Sequence, residues 1–295
     1  MQTYTKINTL YKRYQFEAKN CPNKKWLLMR NKIILNDFSN IEAKYLYNCD
    51  WEAYSKIDGT NSKIAFYPST QEIKIGGKTD NANSMHGQFE MLQELADRIQ
   101  PILCEMFPKE TAKFLQVKNK ETNKIQYYLE ACGDAMIEPK AGFCGVELEE
   151  IPIYIYGEYF GEGIQKCGRK YIKNGNDFVV FDICQQGWWL PKENRDLLCE
   201  KLKLKTVPFI GIKTLADIEK MVIKGFTTQY KDAADPTMLE EGIVARPTVP
   251  LFDSRGNRII VKVKYCDYVE YFQAKNQFTL EEFNEFTKWY EEYLL

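Results

Sequence analysis

The segment KIDGTN, from Lys56 to Asn61, holds the residue type best suited to covalent chemistry in this chain. A lysine held against a glycine turn is a nucleophile when its amine is neutral. Shifting the pKa of that amine from about 10.4 to near 7 corresponds to roughly 4–5 kcal/mol, which partial burial beside other cations can supply. Lys56 is therefore the first candidate nucleophile.

Two lysines near the C-terminus could be those cations. Lys262 and Lys264 alternate in the segment IIVKVKY, which predicts a strand with both ammonium groups on one face. Such a pair would lower the pKa of Lys56 and neutralise the charge of a phosphate under attack. Each signal alone is weak, because KxDG arises by chance in roughly one chain of this length in thirty. Alternating lysines are also more often the solvated face of a strand.

Several other chemistries are excluded. His86 is the single histidine, which rules out multi-histidine zinc sites and any Ser/His or Cys/His mechanism that needs a second histidine. Neither GxxxxGK[ST] nor GxGxxG occurs, and the glycines of GEGIQKCG at 161–168 miss both spacings. ATP would therefore not be held by a phosphate-binding loop.

The composition indicates a soluble globular protein. The 295 residues include 44% hydrophobic and 27% charged residues, and 40 Lys and Arg against 41 Asp and Glu leave a net charge of −1. Any nucleic-acid surface must therefore be local. The N-terminus lacks an apolar signal core, and nine cysteines scatter without a CxxC pair. We expect reduced thiols, a cytoplasmic location and no membrane partner.

The elements that must position the lysines alternate along the chain. β-Branched and aromatic residues predict strands at 61–67, 72–75, 125–129, 151–156, 178–183, 242–245 and 258–265. Apolar spacing predicts helices at 89–99 and 215–222, the second capped by Thr214. Thr279 and Glu282 predict a capping box for a C-terminal helix, whose apolar stripe would pack in the core or, alternatively, form a dimer contact. We expect an α+β fold of antiparallel sheets with flanking helices.

Five ordered motifs resemble those of the covalent nucleotidyltransferases, the superfamily of ligases and mRNA capping enzymes. They are KIDG (Lys56–Gly59), YGEYFG (Tyr156–Gly161), FVVFDI (Phe178–Ile183), EGIVAR (Glu241–Arg246) and KVKY (Lys262–Tyr265), which match motifs I, III, IIIa, IV and V. The likeness is greatest to ATP-dependent RNA ligases, specifically the phage double-strand RNA ligases and the kinetoplastid RNA-editing ligases. It implies an ATP-grasp-like nucleotidyltransferase (RNA ligase adenylation) domain over residues 1–268 and a C-terminal helical tail over residues 269–295.

The resemblance implies a reaction in three steps. Lys56 would attack the α-phosphorus of ATP, expel pyrophosphate and carry AMP, which then passes to the 5′-phosphate of an RNA strand. A 3′-hydroxyl displaces the AMP and forms a phosphodiester. Lys262 and Lys264 would contact the α-phosphate and lie in line with the departing pyrophosphate. We expect ATP and Mg²⁺ or Mn²⁺ as cofactors, RNA with 5′-phosphate and 3′-hydroxyl ends as partner, and nicks in a duplex, in the host cytoplasm if the protein is viral.

The resemblance also implies nucleotide and metal contacts. Phe178 would stack on adenine, with a place in the core as the alternative. Glu158 would contact the ribose or a metal-bound water, and Glu241 would help to hold the divalent ion; a surface role is the alternative for both. Asn61 would lie near the nucleotide phosphate. The remaining nucleotide-binding candidates are Ile57 and Lys78.

Two residues depart from the family pattern. Lys78 stands where relatives usually have arginine, and an ammonium is a point charge where a guanidinium is a planar fork. Ser55 stands where the closest relatives often have a glutamate that helps to read adenine, so GTP remains open as the donor. The rival functions are a GTP-using capping-type nucleotidyltransferase and a catalytically idle module that binds RNA ends.

The sequence has few residues left for a separate RNA-binding module. Thirty residues follow Tyr265, too few for the OB module that DNA ligases and capping enzymes carry there, so we expect no C-terminal OB domain. The core, the N-terminal segment, self-association or an RNA-binding partner would then hold the substrate. Trp188 and Trp189 could stack a base, although buried tryptophans are commoner. Basic clusters, which are more often solvated faces, are Lys166, Arg169, Lys170 and Lys173, then Arg255 and Arg258, and more weakly Lys113, Lys118, Lys120 and Lys124.

Overall fold

The computed structural model describes residues 4–77, 88–109, 113–118, 125–130, 148–185 and 188–294, which form an α+β fold. The strands in these ranges are β1 (Asn8–Thr9), β2 (Tyr11–Arg13), β3 (Ile33–Phe38), β4 (Trp51–Ser55), β5 (Thr60–Tyr67), β6 (Glu72–Gly77), β7 (Lys113–Lys118), β8 (Ile125–Glu130), β9 (Leu148–Glu150), β10 (Ile153–Gly161), β11 (Asn176–Gln185), β12 (Trp188–Trp189), β13 (Lys205–Thr206), β14 (Phe209–Lys213), β15 (Gly242–Pro247) and β16 (Val261–Lys264). The α-helices are α1 (Ile41–Tyr45), α2 (Gln88–Met106), α3 (Gly168–Tyr171), α4 (Lys192–Lys201), α5 (Leu215–Lys224), α6 (Tyr265–Lys275) and α7 (Leu280–Tyr293), and short 3-10 helices lie at Ala18–Asn20 and Lys24–Met29.

The chain divides into two compact units, each assembled from two stretches of sequence. Unit 1 contains Met1–Tyr4 and Asp58–Val207, and unit 2 contains Thr5–Ile57 and Pro208–Leu295. The border runs through the KIDG motif, because Lys56 belongs to unit 2 and Gly59 to unit 1. The division at residue 268 that the resemblance implies stays a prediction.

Unit 1 is built on a sheet of six strands. Five follow the order β12-β11-β10-β5-β6 in antiparallel pairs, and β13 pairs in parallel with β11. A second antiparallel sheet has the order β8-β7-β9. Helix α2, where the spacing predicts a helix, packs on β5 and β6. Its apolar face is buried because the residues recur at three- and four-residue steps: Leu92, Ala96, Ile99 and Leu103.

Unit 2 contains a five-stranded sheet in the order β1-β16-β15-β4-β14. Its pairs are antiparallel except for β1 and β16, which run parallel. A separate antiparallel pair joins β2 to β3. Helix α5 packs on β15 and β16, and α6 packs on β16. The predicted cap of α5 is present, since the side chain of Thr214 accepts the backbone N–H of Asp217 at 3.1 Å.

The C-terminal helix α7 packs into the core of unit 2. The predicted capping box forms, because the Thr279 hydroxyl accepts the N–H of Glu282 and the Glu282 carboxylate accepts the N–H of Thr279. Phe286 and Tyr290 are buried among the aromatic residues of the N-terminal segment. The predicted core packing of the apolar stripe is therefore confirmed.

The predicted strand at 258–265 is longer than the observed one. Strand β16 covers Val261–Lys264, and α6 begins at Tyr265, whose N–H donates to the carbonyl of Glu241. Arg258 lies outside this strand and takes part in an isolated β-bridge with Phe252. A run of β-branched residues indicates that a strand exists, but tertiary hydrogen bonds set its ends.

Two further observations bear on the class of protein. No α-helix within the described ranges has the length and apolar character that spanning a bilayer requires. The seven cysteines within those ranges are all free thiols.

Candidate active site

The backbone of unit 2 holds Lys56 at the end of β4. The N–H of Ser55 donates to the carbonyl of Pro208 at 2.9 Å, and the N–H of Lys56 donates to the carbonyl of Gly242 at 3.0 Å. Both neighbours of β4 in the sheet, β14 and β15, therefore fix the residue before and at the candidate nucleophile. The side chain of Lys56 therefore extends from a strand end at which the backbone N–H groups of Ser55 and Lys56 are both hydrogen-bonded.

Glu241 bridges two lysines. Its Oε2 accepts a hydrogen bond from Lys56 Nζ at 2.5 Å, and its Oε1 lies 2.8 Å from Lys264 Nζ. The three side chains are 21%, 17% and 27% exposed for Lys56, Glu241 and Lys264, so they are largely removed from solvent but still reachable by a ligand. The structure thus places Lys56 next to one of the two strand-borne lysines, as the sequence predicts.

Strand β16 presents its two lysines on one face. Val261 and Val263 are buried in the core while Lys262 and Lys264 remain partly exposed, which is the alternation predicted for KVKY. Glu241 comes close to this face because it directly precedes Gly242. A Cβ at Gly242 would lie 2.1 Å from the carbonyl oxygen of Val263, so only glycine allows β15 to approach β16 this closely.

The electrostatics of the two strand lysines differ. Burial, followed by the positive charges of Lys56 and Lys264, lowers the pKa of Lys262. Burial also acts to lower the pKa of Lys264, but the hydrogen bond and charge of Glu241 outweigh it, and the net shift is upward. Lys262 has no ion-pair partner among the described residues, so it is the cation at this site that an anion could pair with.

Glu240 lies beside these groups and is buried, with 2% exposure. Its Oε2 accepts the Ser55 hydroxyl at 3.2 Å and the N–H of Gln229 at 2.9 Å, whereas its Oε1 has no hydrogen-bond partner among the described residues. Burial raises the pKa of Glu240 to about 7, and the negative charge of Glu241 adds to the rise. Ser55, the residue before Lys56, is thus hydrogen-bonded to a carboxylate that lies 185 residues away in the sequence.

Unit 1 brings together a second set of predicted residues. Asn61 on β5 and Glu158 on β10 are direct cross-strand partners. The Asn61 side-chain oxygen is buried and makes no hydrogen bond with the described residues. A Cβ at Gly59 would lie 2.4 Å from the carbonyl oxygen of Tyr159 and 2.8 Å from Cγ of Glu158. The glycine of KIDG is therefore required where the chain passes closely over β10.

Phe178 is a core residue of unit 1 in this structure. Its side chain is 2% exposed and belongs to the apolar cluster under α2. Its ring lies over Gly157, where a Cβ would come within 2.3 Å of Cζ. The burial agrees with the alternative core role, and the stacking on adenine stays a prediction.

The remaining predicted residues fall into different settings. Ile57 is buried, with 3% exposure, in unit 2. Lys78 and His86 lie outside the described residues. Within the described ranges, no group of three or more His, Cys, Asp or Glu side chains is arranged to hold a metal ion. Glu158 and Glu241 are therefore candidates as isolated carboxylates, not as members of a protein-built metal cage.

A comparison with protein families identifies the family of this chain. The RNA ligase family model matches residues 50–264, which include Lys56, Glu241, Lys262 and Lys264. The chain belongs to the RNA ligase family. A comparison with curated proteins finds no match.

Solved structures of an RNA ligase from Naegleria gruberi are similar to this chain. A mutant of that enzyme in the apo form is 15% identical with a TM-score of 0.48, and the match covers 79% of this chain and 54% of that chain. A mutant with ATP and Mn is 16% identical with a TM-score of 0.48, covering 79% and 55%. A complex with PPi is 17% identical with a TM-score of 0.46, covering 79% and 54%. This RNA ligase family member spans about half the length of the structures that it matches.

The first basic cluster predicted from the sequence lies at the surface. Lys166, Lys170 and Lys173 are exposed, and Arg169 pairs with Glu162 at 2.9 Å. Trp188 is 71% exposed, whereas Trp189 is partly buried and packs against Tyr4 and Tyr156. Of the first cluster, the three lysines remain candidates for RNA contact.

Glu240 belongs to the site, although no motif in the sequence singles it out. Two signals could have drawn attention to it: the Glu240–Glu241 pair at the start of EGIVAR, and the serine that replaces a glutamate before the nucleophile. Neither signal reveals that the two positions touch. The contact follows from the pairing of β4 with β15, in which Ser55 lies opposite Ile243.

Proposed function

We propose that this protein is an ATP-dependent RNA ligase that works through a lysyl-adenylate at Lys56. The observation that carries the proposal is the Lys56–Glu241–Lys264 cluster with Lys262 alongside, in a chain of the RNA ligase family. The cluster holds a lysine, a proton acceptor and cations in one place, which together are what attack on a phosphate requires.

The first step transfers AMP to the protein. The Lys56 ammonium must lose a proton before it can attack, and the nearest acceptor is Oε2 of Glu241. The neutral amine then forms a P–N bond with the α-phosphorus of ATP, while the bond from that phosphorus to the bridging oxygen breaks and pyrophosphate leaves. The free amine of Lys56 thus becomes a phosphoramide, and no other co-reactant is needed.

The two strand lysines stabilise the charge that develops on phosphate. Lys262, without an ion-pair partner in the described part of the chain, can bind a non-bridging phosphate oxygen directly. Lys264 is held by Glu241 and is positioned by that contact next to Lys56. Preorganised cations of this kind lower the barrier because they need no rearrangement during the reaction.

The carboxylates fit a divalent ion that is held mainly by the substrate. Mg²⁺ keeps several waters and is often bound by one or two carboxylates plus substrate phosphates, so Glu241 of unit 2 and, separately, Glu158 of unit 1 are each a candidate to help hold it. When bound, the ion would neutralise charge on the phosphates of ATP. Because both oxygens of Glu241 are engaged by lysines, we expect its contact to the ion to run through water.

The later steps join RNA ends. The 5′-phosphate of one strand displaces Lys56 from AMP and forms a diphosphate linkage, and the 3′-hydroxyl of the other strand then displaces AMP. The resemblance of the motifs favours nicks in a duplex, with Asn61 near the phosphate during the attack of the 3′-hydroxyl. The cytoplasmic location remains a prediction.

The test of the proposal is formation of a labelled covalent adduct. Wild-type protein incubated with α-labelled ATP and Mg²⁺ is expected to give a labelled band on denaturing electrophoresis, and Lys56→Ala is expected to give none. Lys220→Ala, a change of an exposed lysine on α5, serves as the control and is expected to label normally. A labelled band from Lys56→Ala, or no band from the wild type, contradicts the proposal. Labelled GTP tested in parallel separates an ATP-dependent ligase from a capping-type enzyme.

A further inference from the structure

Unit 2 contains a groove of about 770 Å³ beside the lysines of β16. The N-terminal segment and β3 form its other walls. Among the described residues, its lining carries one carboxylate, that of Asp37, against five cations. Those cations are Lys6, Lys12, Arg13, Lys262 and Lys264.

Backbone pairing explains why the N-terminal cations lie next to the site. Strand β1 runs parallel to β16, with Thr9 opposite Lys262. The N–H of Leu10 also donates to the carbonyl of Lys262 at 3.0 Å. Lys6 lies two residues before β1 and Lys12 lies on β2, directly after it, so both are close along the chain to the strand that pairs with β16.

The groove has more positive than negative charge after its ion pairs are counted. Arg13 binds Asp267 at 2.6 Å, and Lys264 binds Glu241. Lys12 and Asp37 form a 2.8 Å pair with exposures of 57% and 42%, so solvent screens it and a competing anion can displace it. Lys6 and Lys262 have no ion-pair partner in the part of the chain that the structure describes. Because these two cations are not neutralised by described carboxylates, the groove can bind anions.

We propose that this groove binds the phosphate backbone of the RNA strand next to the ends that are joined, an inference that rests on the proposed function. Beside its five cations, the groove lining carries polar side chains such as Asn8 and Gln15. Surfaces that follow a nucleic-acid backbone have that polar and positive character. The chain as a whole has a net charge of −1, so RNA affinity must come from a local concentration of cations of this kind.

The triphosphate of ATP has the same chemistry as an RNA backbone and could enter the groove from the same end. RNA fits better because the groove continues beyond Lys262 and Lys264 along the N-terminal segment to Lys6 and Lys12. A nucleotide held at Lys56 needs cations only near the nucleophile. A strand that leaves the site needs them along its path.

The test measures RNA binding by Lys6→Ala, Lys12→Ala and the double variant of the full chain. The probe is a short, fluorescent, 5′-phosphorylated RNA, and its anisotropy is followed over a series of salt concentrations. Each substitution is expected to weaken binding and to reduce the slope of log K against log salt by about 1. Asp37→Asn is expected to tighten binding, because it removes the one carboxylate of the lining. Lys220→Ala removes an exposed lysine outside the groove and is the matched control.

The outcomes separate this inference from the proposed function. RNA affinity and salt slope equal to wild type in the double variant overturn the groove assignment. A raised KM for ATP in the labelling of Lys56, with RNA binding unchanged, assigns the groove to the triphosphate and also overturns it. RNA binding needs no adenylate. If the wild-type protein forms no adduct with ATP but the groove variants still weaken RNA binding, the groove assignment is supported and the proposed ligase activity is contradicted.

Discussion

Glu241 determines the resting state of the candidate site. While its carboxylate binds both Lys56 and Lys264, those two ammonium groups are neutralised in part by a single negative charge. Lys262 has no such partner in the described chain, and its pKa is lowered by burial and by the two neighbouring cations. The folded protein therefore keeps one lysine in an unfavourable environment, which is expected where a ligand anion later supplies the missing charge.

Replacing Lys262 should lower activity without lowering stability. Lys262→Met keeps the aliphatic stem but removes the charge, so repulsion with Lys56 and Lys264 disappears and the free energy of unfolding should not fall. Transfer of AMP to Lys56 should drop by about 10²–10³-fold, the effect of losing one preorganised charge at a reacting phosphate. The measurements are urea unfolding and the rate of labelling with ATP.

Lys264→Met is the comparison. It removes a partner of Glu241, so both the free energy of unfolding and the labelling rate should fall. If Lys262→Met destabilises the protein as much as Lys264→Met does, Lys262 stabilises the fold, and the interpretation of Lys262 as a lysine that awaits a ligand anion is wrong.

Glu240 makes stability depend on pH. Burial raises its pKa from 4.5 to about 7, against the hydrogen bonds of Gln229, Ser55 and Thr228, which lower it. Because the folded state binds this proton more tightly than the unfolded state, stability falls as the pH rises from 4.5 to about 7 and is constant above that range. Glu240→Gln mimics the protonated form. It should stabilise the protein by up to about 3 kcal/mol at pH values above 7 and have little effect below pH 4.5.

The measurement for Glu240 is urea unfolding of wild type and Glu240→Gln at pH values on both sides of that range. A control is Glu285→Gln on α7, an exposed carboxylate that should show no such difference. If Glu240→Gln changes the free energy of unfolding by the same amount at every pH, the carboxyl of Glu240 does not titrate in this range.

At the residue scale, the sequence predicts the contacts that follow from regular geometry. Lys262 and Lys264 share a face because alternation on a strand is a local rule. The buried contact between Ser55 and Glu240 joins positions 185 residues apart, so it depends on which strands become neighbours. No local pattern carries that information.

At the element scale, close approach of backbones positions the charged groups. Gly242 lets β15 lie against β16, and Gly59 lets the chain after the nucleophile pass over β10. The sequence predicts these segments as strands and turns from residue type, but the glycines show their purpose only in three dimensions. Element ends are also poorly predicted, as β16 and α6 show, because capping and tertiary hydrogen bonds decide them.

Where an end has a clear capping signal, the sequence does predict it. Thr279→Ala removes the hydroxyl that accepts the N–H of Glu282 at the start of α7. We expect the free energy of unfolding to fall by about 1 kcal/mol, the usual contribution of such a cap. Thr287→Ala makes the same change inside the same helix, where the hydroxyl only bonds a nearby carbonyl, and should alter stability by less than about 0.5 kcal/mol. Equal effects of the two variants would mean that the capping box contributes nothing.

At the scale of the whole molecule, the sequence predicts the α+β class but not how the chain is divided. Each compact unit is built from two separated stretches, so composition and periodicity along the chain show no border between them. Unit 2 joins the N-terminal segment to the C-terminal helix through an aromatic cluster. Its central ring, Phe286, contacts Tyr14, Phe16 and Trp26. The two stretches of unit 2 are thus held together by side chains at opposite ends of the sequence.

This cluster should support both the stability of unit 2 and the wall of the groove. Phe286 has no exposed surface, and Tyr290, one turn later, accepts the N–H of Gln15 from the groove wall. Phe286→Ala should lower the free energy of unfolding by about 3–5 kcal/mol, since it leaves a cavity among rigid rings. Leu280→Ala, on the same helix but 78% exposed, should change it by less than about 0.5 kcal/mol.

The same variants test whether the aromatic cluster positions the RNA groove. Phe286→Leu retains most of the buried volume, so the protein should remain folded at the temperature of a binding experiment. If the cluster positions the N-terminal segment, Phe286→Leu should weaken RNA binding in anisotropy measurements while the salt slope stays at the wild-type value, because every lysine of the groove is still present. A reduced slope would show instead that cations have left the backbone, and unaltered affinity would show that the groove wall is held by the pairing of β1 with β16 alone.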